Sequence, residues 1–272
     1  MVVGIGLVLS GGGARCLAQI GALKALEDRG TEVGAIAANS TAALLGAIYA
    51  AGHPASSLYE LAAGLDYSRF LRLSGEGGLL GHDGVAALLR EYVPETFEEL
   101  AIPLAVPAVD IQNGEMLVFS AGPLVEPVCA SNALPGLFVP VEHQSRFLMD
   151  GGIIDNVPVD LIRPLYNGPV VVVDVRLSPT ERLDLERPNE GLWERLRNSF
   201  SSGLPLSVDI LMKAYTITQS RLIEFTYAAH PPDLIIRPEL GDDFDLQDFG
   251  RFDEAYDLGY RAATEKLEQA GL

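Results

Sequence analysis

The chain has 272 residues, 48% of them apolar and 21% charged, a balance that collapses into a core and fits one α/β domain over residues 1–272. Its formal charge of −18 repels nucleic-acid phosphates and opposes durable residence on an anionic membrane, leaving at most transient contact with zwitterionic lipid. Cys16 and Cys129 form neither a disulfide framework nor a metal-ligand set, and the N-terminal stretch has no basic region, cleavage site or membrane-length apolar run, so a cytoplasmic, reducing compartment is expected.

Residues 2–9 form an apolar run interrupted only by Gly4 and Gly6, the pattern of a strand buried on both faces of a parallel sheet. Ser10-Gly11-Gly12-Gly13 breaks it. Over 14–29, Leu17, Ile20, Leu23 and Leu26 recur at helical spacing, and Gly30 stands where a helix would stop. The unit repeats with a short strand at 33–38 and an alanine- and leucine-rich helix at 41–51 that ends before Gly52, His53 and Pro54. Further strands are predicted at 104–109, 116–119, 147–149, 170–175 and 234–236, with helical stretches between them. Such alternation predicts a three-layer α/β/α fold around a mainly parallel open sheet. Two stretches break the rhythm, the glycine-rich 71–83 and the polar, proline-flanked 177–206, and each is a candidate lid.

Ser40 stands between the second strand and its helix, at a turn that lifts a hydroxyl above a sheet edge while the next N–H groups face the same space. It is equally the position of a capping Ser, with Asn39 and Thr41 also capping types. Gly11, Gly12 and Gly13 let the backbone turn its N–H groups toward an anion, with the helix dipole adding positive potential, so the loop suits a phosphate or an oxyanion. Nucleotide binding is the weaker use: no Gly-Lys-Ser/Thr follows, Cys16 occupies a place where the dinucleotide fingerprint wants Gly or Ala, and the second strand ends in Asn39 and Ser40 rather than an acid. Asp150-Gly151-Gly152, taken alone, is a turn. No His, Cys, Asp or Glu cluster has ligand spacing, so no metal is expected. His53, His82, His143 and His230 lack motif support, and only one strand and one helix precede the Ser40 turn, unlike the α/β-hydrolase order.

Together the three segments resemble one family, the patatin-like phospholipases. Ser10 to Arg15 is similar to their glycine-rich oxyanion motif, Asn39-Ser40-Thr41 lies where their Gly-x-Ser-x-Gly nucleophile motif lies, and Asp150-Gly151-Gly152 resembles their Asp-Gly-Gly motif. Between these, the stretch from Ala130 to Val141 resembles the family's Ala-Ser-x-Ala-x-Pro…Phe-x-Pro segment, and Asn156-Val157-Pro158 its Asn-x-Pro. The tail around Asp248-Phe249-Gly250 and Gly259-Tyr260 is similar to small bacterial members, so the likeness covers nearly the whole chain.

The resemblance implies a serine acyl hydrolase acting on fatty acyl esters, of the lipid esterase or phospholipase A type, without metal or organic cofactor. Ser40 would be the nucleophile and Asp150 its base, Gly11, Gly12 and Gly13 with Thr41 would hold the oxyanion, and Arg15 would organise the loop or contact a phosphate. Two departures stand out. Ala38 and Ala42 replace the glycines flanking the nucleophile, and Cys16 replaces the Gly after the motif arginine. Extra methyls in tight packing cost about 1–3 kcal/mol unless the backbone relaxes. The alternative is therefore a weakened or inactive relative that binds a lipid or acyl group. For Cys16, packing in the glycine slot is expected over a reactive thiol.

Overall fold

The computed structural model describes residues 4–67, 80–177, 206–241 and 243–271. It contains the strand, glycine loop and helix read from the sequence: β1 (Gly4–Leu9), a 3-10 turn (Gly13–Cys16) and α1 (Leu17–Asp28), then β2 (Glu32–Ala38) and α2 (Thr41–Ala50). Gly30 follows the first helix at φ +68°, a left-handed conformation that glycine adopts without a Cβ clash. There follow α3 (Ala55–Gly64), α4 (Asp83–Tyr92), β3 (Leu104–Asp110), β4 (Glu115–Phe119), α5 (Val125–Ser131), β5 (Val141–His143), β6 (Arg146–Asp150), β7 (Val170–Val173), α6 (Leu206–Ala229), β8 (Leu234–Ile236) and α7 (Phe252–Ala270). Strand β5 was not anticipated, because three residues after a proline carry no readable period. Most of both candidate lids, 71–79 and 178–205, lies outside the described residues.

The strands form one sheet in the order β5-β6-β3-β2-β1-β7-β8, with β4 also paired to β3. From β3 to β8 every pairing is parallel, whereas β4 and β6 run antiparallel to β3, and β5 antiparallel to β6. The sheet is mainly parallel, as expected, with an antiparallel edge that has a local reason. Connections as short as 111–114 and 144–145 permit only antiparallel neighbours, and Gln144 and Ser145, at φ 47° and 64°, make the kind of two-residue turn that suits a hairpin.

Side chains on the parallel strands alternate between two cores. Ile5, Leu7 and Leu9, Ile36 and Ala38, and Val171 and Val173 face a core shared with α1, α2, α4 and α7. Val8, Ala35 and Ala37, and Val170 and Val172 face the opposite core, closed by Val157, Val159, Ile162 and by Ile223 of α6. That period of two, with helix on both sides, is the three-layer α/β/α arrangement. Among the described residues, no helix is long and apolar enough to cross a membrane.

One feature of the sheet places the functional turns. β2 runs parallel to β3 and its pairing there stops with Ala37 opposite Ala105, while β6 runs antiparallel to β3 and its pairing stops with Asp150 opposite Ala108. The pairings of two strands travelling in opposite senses therefore end about 10 Å apart along β3, since three residues of strand span that distance. The turns after them, at Ser40 and at Gly151, meet.

Candidate active site

Ser40 has φ 59° and ψ −137°, and its side chain makes no capping hydrogen bond to α2. A capping serine has extended backbone and accepts from an N–H of the first helical turn, so the capping role is not the one it plays. A non-glycine residue held at positive φ stores backbone strain, of order 1–3 kcal/mol, and strand–strained serine–helix is the geometry of a nucleophile elbow. Ala38 and Ala42 on either side are both fully buried, and the elbow forms around them. Room for the Ala38 methyl comes from across the helix: a Cβ built on Gly46 would lie 3.2 Å from it.

The Ser40 side chain acts on the Asp150 carboxyl as a donor, favouring its charged form. Asp150 is buried, and its Oδ1 also accepts from Asn39 Nδ2 at 2.9 Å and from the Gly152 N–H at 2.8 Å. Burial pushes its carboxyl up to about 6, and the donors from Ser40, Gly152 and Asn39 hold it from rising further. A carboxyl tuned there is ionised at neutral pH yet more basic than an exposed aspartate, which suits proton abstraction.

Behind the pair lies a buried polar network that sequence reasoning did not assign. Asn39 Nδ2 also donates to Asn156 Oδ1 at 2.9 Å, and Asn39 Oδ1 accepts from Ser131 Oγ at 3.1 Å. Ser131 Oγ in turn accepts the Ser40 N–H at 3.0 Å, and Asn156 Nδ2 donates to the Gly11 carbonyl at 3.2 Å. Thr41 Oγ1 donates to Asn132 Oδ1 at 3.1 Å. Four separate segments are thereby locked around one serine. In the sequence Asn39 reads as a capping type and as part of the nucleophile-like segment, and Ser131 and Asn156 lie in the family-like stretches without a role. Their burial, which separates this network from ordinary loop polarity, is invisible in the chain.

The glycine loop needs one correction. Gly11 was expected to offer its N–H to an oxyanion, but that N–H donates to the Asn156 carbonyl at 3.1 Å. Gly11 matters instead because nothing larger fits: a Cβ there would stand 2.3 Å from Asn156 Oδ1 and 2.9 Å from Ser40 Cβ. The N–H groups of Gly13 and Thr41, by contrast, have no acceptor among the described residues, and that of Gly12 has only the Cys16 thiol, a weak acceptor. Gly11→Ala is expected to cut kcat/KM by about 100-fold, because an ångström-scale displacement of reacting groups costs roughly that much, and to lower stability by about 1–3 kcal/mol. Wild-type kinetics in this variant, measured beside its thermal melt, would show that the loop does not set the Ser40 position.

Arg15 is buried and donates to the carbonyls of Val175 (2.7 Å), Leu240 (3.2 Å), Gly241 (3.3 Å) and Phe244 (2.7 Å). Of its two expected uses, the geometry is that of a clamp binding the loop to the C-terminal segment. Cys16 is fully buried, its thiol 3.6 Å from the Ser10 carbonyl oxygen, and burial pushes its pKa far above the ordinary thiol range, as packing rather than reactivity requires. His53, His82 and His143 point at the Tyr92 carbonyl, the Val139 carbonyl and Glu126 respectively. None of them orients Ser40.

The family model for patatin-like phospholipases matches residues 7–162, from β1 past the Asp150 turn. Lysophospholipase nte1 of Aspergillus terreus is 30% identical over 291 residues, a match covering 97% of this chain and 18% of that protein. Patatin-like phospholipase domain-containing protein 6 of Homo sapiens is 30% identical over 275 residues, covering 94% of this chain and 20% of that protein. The chain thus spans about a fifth of the length of these curated relatives. The crystal structure of VipD from Legionella pneumophila has the same fold, with a TM-score of 0.61 at 17% identity, over 97% of this chain and 67% of that one. With the family model matching more than half of its length across both functional turns, the chain belongs to the patatin-like phospholipase family.

Proposed function

We propose that this chain is a lipid acyl hydrolase that cleaves fatty acyl esters through a covalent Ser40 ester, with Asp150 as the base. The observation that carries this reading is a strained, turn-borne Ser40 set beside the buried Asp150, whose carboxyl burial pushes up to about 6. Ser40 Oγ attacks the acyl carbon and its proton passes to Asp150; the carbonyl oxygen, now negative, is held by the N–H groups of Gly12, Gly13 and Thr41. Such donors are commonly worth about 2.7–4 kcal/mol each, so they compensate for an aspartate base that is weak by itself. Collapse releases the alcohol with the proton from Asp150, and water attacks the acyl-enzyme by the same route. The relatives called lysophospholipase and patatin-like phospholipase agree with this chemistry. The two alanines, which motivate the alternative of a non-catalytic lipid binder, are fully buried on either side of Ser40.

A fluorophosphonate probe tests the nucleophile directly. It is expected to phosphonylate one serine, recovered by mass spectrometry on the peptide containing Ser40, with labelling lost in Ser40→Ala. Labelling at another serine, or none alongside measurable ester turnover, would remove Ser40 from the role.

A further inference from the structure

Helix α6 brings two polar side chains onto the Asp150-Gly151-Gly152 turn. A Cβ built on Gly152 would stand 2.6 Å from Gln219 Nε2, 2.7 Å from the Tyr215 hydroxyl and 2.9 Å from Asn156 Oδ1, so all three converge on one point beside the base. Gln219 has a structural partner there, its Nε2 donating to the Gly152 carbonyl at 2.9 Å. The Tyr215 hydroxyl is buried; the Gln219 amide acts on its oxygen as a donor, and its own O–H has no acceptor among the described residues. A buried polar group left without a partner is disfavoured, and natural structures rarely keep one except where something else completes it.

The chemistry of the neighbouring pair says what would complete it. The carbonyl oxygen of a bound ester is claimed by Gly12, Gly13 and Thr41, and the acyl carbon by Ser40. The remaining oxygen, that of the departing alcohol, must come within reach of Asp150, because the proton taken from Ser40 is the one it receives. When the tetrahedral adduct collapses, the acyl C–O bond breaks, its electron pair leaves on the alcohol oxygen, and the Asp150 proton neutralises it. Tyr215 stands beside the Asp150-Gly151-Gly152 turn, within the electrostatic reach of Asp150. Burial, and next the charge of Asp150, push its phenol well above the ordinary tyrosine range, so it stays a donor through this cycle.

We propose that the Tyr215 hydroxyl donates a hydrogen bond to the leaving-alcohol oxygen of the bound ester, making Tyr215 a substrate-contacting residue for that half of the substrate. This rests on the Ser40–Asp150 mechanism above. The contact matters most when the alcohol leaves as a strongly basic alkoxide, as from a glyceryl or ethyl ester. It matters little for nitrophenolate, which departs without help.

The test is Tyr215→Phe, assayed for kcat/KM on two esters of one acyl chain, a p-nitrophenyl ester and an ethyl ester, with fluorophosphonate labelling and thermal melts alongside. For the ethyl ester kcat/KM is expected to fall by roughly 10- to 100-fold, and for the nitrophenyl ester by less than about threefold, with labelling unchanged. The melting temperature should hold or rise, since the variant no longer buries an O–H without an acceptor. Equal losses on both esters, no loss on either, or a clear fall in melting temperature would each overturn the assignment while leaving Ser40 and Asp150 untouched. Wild-type protein inert to both esters and to the probe overturns the mechanism itself, and the role of Tyr215 with it.

Discussion

Ser40→Ala is expected to lower ester turnover by about 10⁴- to 10⁶-fold, the range reached when the nucleophile of an acyl hydrolase is removed and only the oxyanion donors and binding remain. Ser40→Gly should be just as inactive but differ in stability. At φ 59° and ψ −137° any side chain is strained, whereas glycine adopts such angles freely, so the Gly variant should be more stable than the Ala variant by about 1 kcal/mol despite its greater chain entropy. Both variants lose the same hydroxyl beside Asp150, so the comparison isolates backbone strain from side-chain chemistry. Urea unfolding of the two proteins checks it. Equal stabilities would mean that the turn is not strained, and appreciable turnover by Ser40→Ala would mean that the nucleophile lies elsewhere.

Where a property is local, the chain discloses it. The run ending at Leu9, the glycines after it, the 3.6-residue spacing of Leu17, Ile20, Leu23 and Leu26, and the stop at Gly30 are each decided by neighbours within a few residues, and β1 and α1 fall where these signals put them. The same holds for β2 and α2, which fix Ser40 at a strand-to-helix turn. Whether Ser40 caps the helix or faces a base depends on a backbone angle, however, and cap and nucleophile share the same residue preferences. That choice is made by Asp150, 110 positions away, arriving on a strand that runs opposite to β2 along β3.

The remaining gaps have the same origin. Asn39, Ser131 and Asn156 are residue types that loops favour for their own turn and capping bonds, so nothing in their identity announces full burial around a carboxylate. Arg15 reads as either a loop organiser or a phosphate contact beside a glycine loop, and its partners at Leu240, Gly241 and Phe244, more than 220 positions on, take up its guanidinium. Gly11 looks like its two neighbours, yet the direction of its N–H is set by the carbonyl of Asn156. In each case long-range contact, rather than composition or period, does the deciding.

Asp150→Asn is expected to have effects of opposite sign on turnover and stability. An amide cannot accept the Ser40 proton, so ester hydrolysis should disappear, and the Ser40→Ala/Asp150→Asn double variant should be no worse than either single change, because residues that act as a unit are not additive. Stability should move the other way at neutral pH. A carboxyl raised from 3.8 to about 6 by burial takes up a proton on folding, so its stabilising contribution is fully present below about pH 4 and is lost as pH rises toward and through 6. Keeping it ionised above that range costs the fold about 3 kcal/mol, and asparagine removes this cost while its Oδ1 still accepts from Asn39 and Gly152. Allowing for an amide N–H₂ in a site built for acceptors, the variant should be more stable than wild type by about 1–3 kcal/mol at pH 8 and by progressively less toward pH 4. Wild-type kcat/KM should rise through pH 6 over the same interval, as the base ionises. Asp155, buried beside Asp160, is pushed in the same direction, so only the difference between the two proteins' stability curves isolates Asp150. A stability difference that does not change with pH, or an Asn variant less stable than wild type at pH 8, would show that the carboxylate at this turn is not held at the cost that its burial implies.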